Sequence, residues 1–261
     1  MDTQNPSNFS IAPQAFNAGL GRHDAPRVLD VRRQAYFDQS PRLVVSAQRC
    51  APEDVVHCAL EGGIVGGQEG EDDAQAMSRW RAQPPLTFAK RTDWGVTGER
   101  PSRWITRERP KIDRIACPWL LRRFIDTRAE FFYVPTAQVL RQAEVLGAVA
   151  YDIPGAPVSH VGAYCSFDAL LGGFDLKDAA LDLLATVVRG ADTDRLDLSP
   201  RSAGLLAFSL GLSRLHGQDD HTMLEAAMPL YDALYAWCQD RIRAVNELHN
   251  SNPASREASM P

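Results

Sequence analysis

Apolar residues recur along this chain at two spacings. Short runs in Arg103-Trp104-Ile105-Thr106-Arg107, Glu130-Phe131-Phe132-Tyr133-Val134 and Ala148-Val149-Ala150-Tyr151-Asp152-Ile153 predict strands, separated by helical patterns over about 116–126 and 136–146. Helix dominates from there, with segments predicted over about 166–173, 178–189, 200–215 and 219–248. In the last of these, Leu224, Ala227, Tyr231, Leu234, Cys238, Ile242, Val245 and Leu248 step by threes and fours, which predicts one inward stripe, with a kink or restart at Pro229. Nearer the start, 12–20 predicts a short helix, and Arg27-Val28-Leu29-Asp30-Val31-Arg32 a buried strand. A second strand is expected at Asp54-Val55-Val56-His57-Cys58, with no room after it for a crossover helix.

The pattern fades between about 66 and 102, where Gly, Pro and charged residues crowd together, and again after about Asn250. The expected layout is therefore an α/β fragment over 9–70, a connector over 71–102, a mainly helical domain with a small sheet over 103–248, and a disordered tail over 249–261. The fold class is α+β. With 28 Lys plus Arg against 33 Asp plus Glu, the charge of −5 gives no electrostatic argument for nucleic acid or an anionic membrane. The polar N-terminus and the lack of any long apolar window predict a cytoplasmic chain with no membrane span. Five cysteines without a C-x-x-C pair encode neither a disulfide framework nor a zinc ribbon. No glycine-rich phosphate or dinucleotide motif opens a helix after a strand, so no nucleotide cofactor is expected.

Two resemblances follow from particular segments. Val28-Leu29-Asp30-Val31-Arg32, Ala35-Tyr36-Phe37, Val55-Val56-His57-Cys58 and the glycine run 62–67 resemble the skeleton of a rhodanese over about 60 residues. The resemblance implies a persulfide-carrying cysteine at Cys58. The loop that would cradle it is cut out, so Asp30, Arg32 and Cys58 are read as a remnant, a sulfurtransferase relic without activity. Residues 104–126, Ser159-His160 through Asp168, Arg189 to Arg195, and Tyr231 to Cys238 are similar to the chromate-resistance domain at the C-terminal end of ChrB-type proteins. That resemblance implies a role in chromate tolerance without naming a reaction.

The residues themselves suggest three chemistries in the second domain. Lys111, Arg114, Arg122 and Arg123 surround a helix start and could dock a tetrahedral oxyanion. His160, Cys165, Asp168, Asp192, Asp194, His221 and Glu225 offer donors for a transition metal, Zn or Fe, with His221 expected to point inward. Cys117 and Cys165 are candidate reactive thiols. Binding or sensing of an oxyanion or metal leads. A metal- or thiol-dependent enzyme, redox or hydrolytic and using the same pocket, is the alternative. Catalytic residues, oligomeric state and protein partners are not specified by this reading.

Overall fold

The computed structural model describes residues 13–55, 63–64, 78, 81–217 and 219–251. Helix α1 (Pro13–Gly19) leads to β1 (Arg27–Asp30), α2 (Gln34–Gln39), β2 (Arg42–Val44), β3 (Gln48–Arg49) and β4 (Gly63–Ile64). Strands β3, β1 and β4 form a parallel sheet in that order, while β2 pairs antiparallel with β5 (Thr87–Ala89). Residues 52–54 form a 3-10 turn, so Asp54, where the strand over 54–58 was expected to begin, is not extended; that strand beyond Val55 lies outside the described residues. Cys58 and the run 62–67, apart from Gly63 and Ile64, lie outside the described residues.

The second sheet positions the site. Strand β6 (Arg103–Arg107) is central, flanked by β7 (Glu130–Val134) and β8 (Val149–Ala150), all parallel. Alternation along β6 sends Trp104 into the main core and Ile105 into a smaller cluster with Val139, Ala143 and Ala150. Between β6 and β7 runs α3 (Asp113–Leu120), which continues through one π-helical turn over Leu121–Ile125. Helix α4 (Val139–Leu146) connects β7 to β8 on the opposite side of β6. The chain thus reverses direction across β6, and in open parallel sheets the crevice beyond the strand carboxyl ends at such a point is where ligands gather.

The remaining helices are α5 (Ser166–Gly173), α6 (Ala179–Asp192), α7 (Ser202–His216) and α8 (Asp220–Ser251). Helix α8 is continuous through Pro229, contrary to the expected kink. Met228 and Tyr231, buried on either side of it, hold the helix by packing that outweighs one lost backbone bond. The stripe on α8 is buried at Leu224, Ala227, Tyr231 and Cys238, but Val245 is exposed, so it runs out near Ile242.

The expected connector is part of the structure where it is described. Strand β5 pairs with β2, and Phe88 and Trp94 are buried. Trp94 meets Trp104 and Phe174 edge-on at centroid distances of 6.1 and 5.2 Å. One hydrophobic core runs from Phe16 and Phe37 through these aromatics to Trp119 and Tyr235. No helix among the described residues is long and apolar enough to cross a membrane.

Candidate metal centre

At the carboxyl ends of β6 and β8 three aspartates converge on one imidazole. Asp113 opens α3, Asp152 lies two residues past β8, Asp192 ends α6, and His160 comes from the loop before α5. His160 Nε2 is 3.2 Å from Asp152 Oδ1, 3.2 Å from Asp192 Oδ2 and 3.7 Å from Asp113 Oδ2. One donor atom each from Asp113, His160 and Asp192 lies within 4.8 Å of the others, close enough to hold a single metal ion.

The backbone is bent to deliver these groups. Ile112, just before Asp113, has φ +39°, and Asp152 itself has φ +53°. Positive φ at a β-branched residue is strained, and such strain collects at functional sites. The Ile112 carbonyl accepts a 2.8 Å hydrogen bond from the Tyr231 hydroxyl on α8, which secures the turn.

Asp113 is fully buried and is anchored by the start of α5. The Ser166 N–H donates to its Oδ2 at 2.7 Å and the Phe167 N–H to its Oδ1 at 2.9 Å. The Asp113 N–H in turn donates to the Asp192 carboxylate. Asp152 is held by Arg114 Nε at 3.2 Å, by Arg107 at 3.4 Å and by the Ser166 hydroxyl at 3.2 Å. Burial first, then the negative charges of Asp192 and Asp152, push the Asp113 carboxyl up to about 8. Burial and Asp152 likewise raise Asp192. A divalent cation among these oxygens would remove the repulsion that raises both. His160 keeps 39% of its side chain exposed, so the centre is open on one side.

The other predicted ligands are placed elsewhere. His221 is exposed and packs edge-on against Tyr133 instead of pointing inward, because it lies off the buried stripe in the first turn of α8. Asp194 is exposed beyond the end of α6 with φ +57°. Glu225 pairs with Arg122. Asp168 accepts the Cys165 N–H at 3.0 Å and faces Arg189 at 3.4 Å, closing the N-terminus of α5 as a capping box.

The four cations predicted to gather at one helix start are dispersed. Arg114 turns to Asp152, Arg123 makes a bidentate pair with Asp232 at 2.8 and 2.9 Å, Arg122 faces Glu225, and Lys111 borders a separate surface hollow with Arg214. The start of α3 is occupied by the acids of the centre rather than by an anion site. Arg32 and Asp30 form an ion pair in the N-terminal sheet. Cys117 and Cys165 are both inaccessible, and burial first, then the negative charge of Asp113, pushes both thiols well up. This is the reverse of what a reactive thiol requires.

Asp113 and Asp152 were not among the expected ligands. The available signal was position: one acid opens a mainly apolar helix after a strand, and the other closely follows an apolar strand.

The family described as "ChrB, C-terminal domain" matches residues 104–238, the span that contributes all four residues of the centre. Protein ChrB of Cupriavidus metallidurans is 30% identical over 178 residues, covering 63% of this chain and 53% of that protein. The chain thus spans about half the length of this curated relative. No solved structure matches the chain. With the matched span taking up more than half of its 261 residues, the chain belongs to the ChrB C-terminal domain family.

Proposed function

We propose that this is a cytoplasmic chromate-resistance protein whose ChrB-type domain binds a divalent transition metal, Zn or Fe, through Asp113, His160 and Asp192. The observation that carries the reading is the convergence of two carboxylates and an imidazole within 4.8 Å at the strand carboxyl ends. Imidazole among the donors favours Zn or Fe over Ca or Mg. Three carboxylates around one nitrogen repel a dianion, so this centre suits a cation and not an oxyanion. Asp152 completes the acidic ring, while Arg114 and Ser166 keep it in place.

Metal analysis of protein purified without chelator tests the reading. The wild type should carry about one Zn or Fe per chain, and His160→Ala and Asp192→Asn should each lose most of it. Unchanged stoichiometry in both variants would remove the centre. Enzymatic use of the same metal stays a second reading, favoured by the exposed side of His160, through which a substrate could approach. The N-terminal fragment belongs to the proposal as an inactive sulfurtransferase relic. Thiocyanate formation from thiosulfate and cyanide should stay at background and be unaffected by Cys58→Ser.

A further inference from the structure

Helix α7 is apolar on both sides. From Ser202 to Ser213 it carries no charged residue, and its inner face, with Ser202, Leu205 and Ser209 buried, packs on α6 and α8. The outer face holds Gly204, Phe208, Gly211 and Leu215, at steps of four, three and four, so all four share one stripe. Phe208 is 64% exposed and Leu215 76%. A helix that is apolar all round belongs inside a larger core, and this one has half of its surface open.

The second observation is the pair of glycines between the large residues. A Cβ added at Gly204 or Gly211 would meet no atom within 4 Å, so packing within the chain does not require either. Each weakens the helix relative to Ala, by about 1 kcal/mol. What the two positions provide is a surface that another backbone can approach closely, with a bulky side chain next to each hollow.

We propose that this stripe pairs antiparallel with the same stripe of a second copy of the chain, about a two-fold axis passing between Ser209 and Leu210. Such an axis sets each residue beside the one equally far from it on the other side. Phe208 then meets the partner's Gly211, and Leu215 meets the partner's Gly204. Every large side chain faces a hollow, twice over in one self-complementary contact. A parallel pair would set Phe208 on Phe208 and glycine on glycine, and would leave gaps. Antiparallel order also brings Arg201, at the positive end of α7, beside the partner's last turn and exposed Asp219, which are opposite in dipole and charge. The 15 residues of α7 span about 22 Å. Two such faces bury on the order of 1,000 Å² in total, at the lower edge of specific interfaces, which corresponds to a dimer of micromolar affinity. The contact uses no residue of the His160 centre and does not depend on the metal reading.

Sedimentation velocity of the full chain from about 1 to about 200 µM tests it. The wild type should pass from monomer to dimer over that range. Gly211→Leu should abolish the shift yet melt no lower than the wild type when both are monomeric, because leucine favours helix and its Cβ meets nothing in its own chain. Phe208→Gln should abolish the shift as well. The register is read by mixing Phe208→Cys chains with Gly211→Cys chains under mild oxidation. Peptide mass spectrometry should find a disulfide joining position 208 to position 211. The proposal is overturned if the wild type stays monomeric throughout, if both non-cysteine variants dimerise like the wild type, or if cross-links from 208 to 208 dominate. Retention of the monomeric wild type on phosphatidylcholine vesicles, lost in Phe208→Gln, would assign the stripe to a lipid surface and overturn the proposal too.

Discussion

Asp113 shows how one side chain can be structural and chemical at once. Its two oxygens serve the first N–H groups of α5, so removing them leaves two buried donors unpaired. Asp113→Ala should destabilise the metal-free protein by about 2–4 kcal/mol in urea unfolding. Asp113→Asn, which keeps an acceptor and removes a charge repelled by Asp152 and Asp192, should cost clearly less. The thiols give a second prediction at this scale. Cys117 and Cys165 should resist alkylation by iodoacetamide at neutral pH until the chain is unfolded, as peptide mass spectrometry would read out. Cys238 is pushed up by burial from 9.0 to about 12, so the folded state keeps a proton that the unfolded chain releases. Its contribution to stability is present below pH 9.0 and is lost as pH rises toward about 12. The melting temperature should therefore fall over that window, less steeply in Cys238→Ala. His160 and Asp192 could be read in the sequence as donors, whereas their meeting with Asp113 and Asp152 depends on four separate elements and leaves no local spacing to find.

At the level of elements, periodicity was the most legible signal. The apolar run of β6 matches a strand buried on both faces, and the stripe on α8 matches burial because that helix lays one face on the core. Pro229 misled because its local cost was weighed without the packing of Met228 and Tyr231 around it. Pro229→Ala restores a backbone donor inside a helix that is already formed, and should raise stability by about 1–3 kcal/mol in urea unfolding. Gly190 makes the opposite case within α6. A Cβ there would lie 2.3 Å from Ser202 Oγ and 2.9 Å from the Arg195 carbonyl oxygen. Gly190→Ala should cost about 1–3 kcal/mol and, by shifting the end of α6 that carries Asp192, lower metal content as well.

Across the whole molecule, the sequence suggested two modules and a connector, but the described core has no seam between them. Segments rich in Gly, Pro and charge look like linkers because their few apolar residues lack a period. Phe88 and Trp94 nevertheless supply large buried faces at single positions. A fragment beginning at residue 103 would expose Trp104 and Phe174, which Trp94 covers. Expressed alone, that fragment should bind a hydrophobic dye and show no sharp melting transition, while the full chain melts sharply.

The Tyr231 hydroxyl acts as a clasp on the turn at Ile112. Without that bond, the torsional tension at Ile112 has a way to discharge, and the carboxylate immediately after it is free to drift from its neighbours. Tyr231→Phe alters no donor of the centre, yet its mark should fall on the ion and not only on the fold: metal should dissociate faster from this variant than from one destabilised equally far from α3. Affinity for the ion is, on this view, stored partly in a phenol that never touches it.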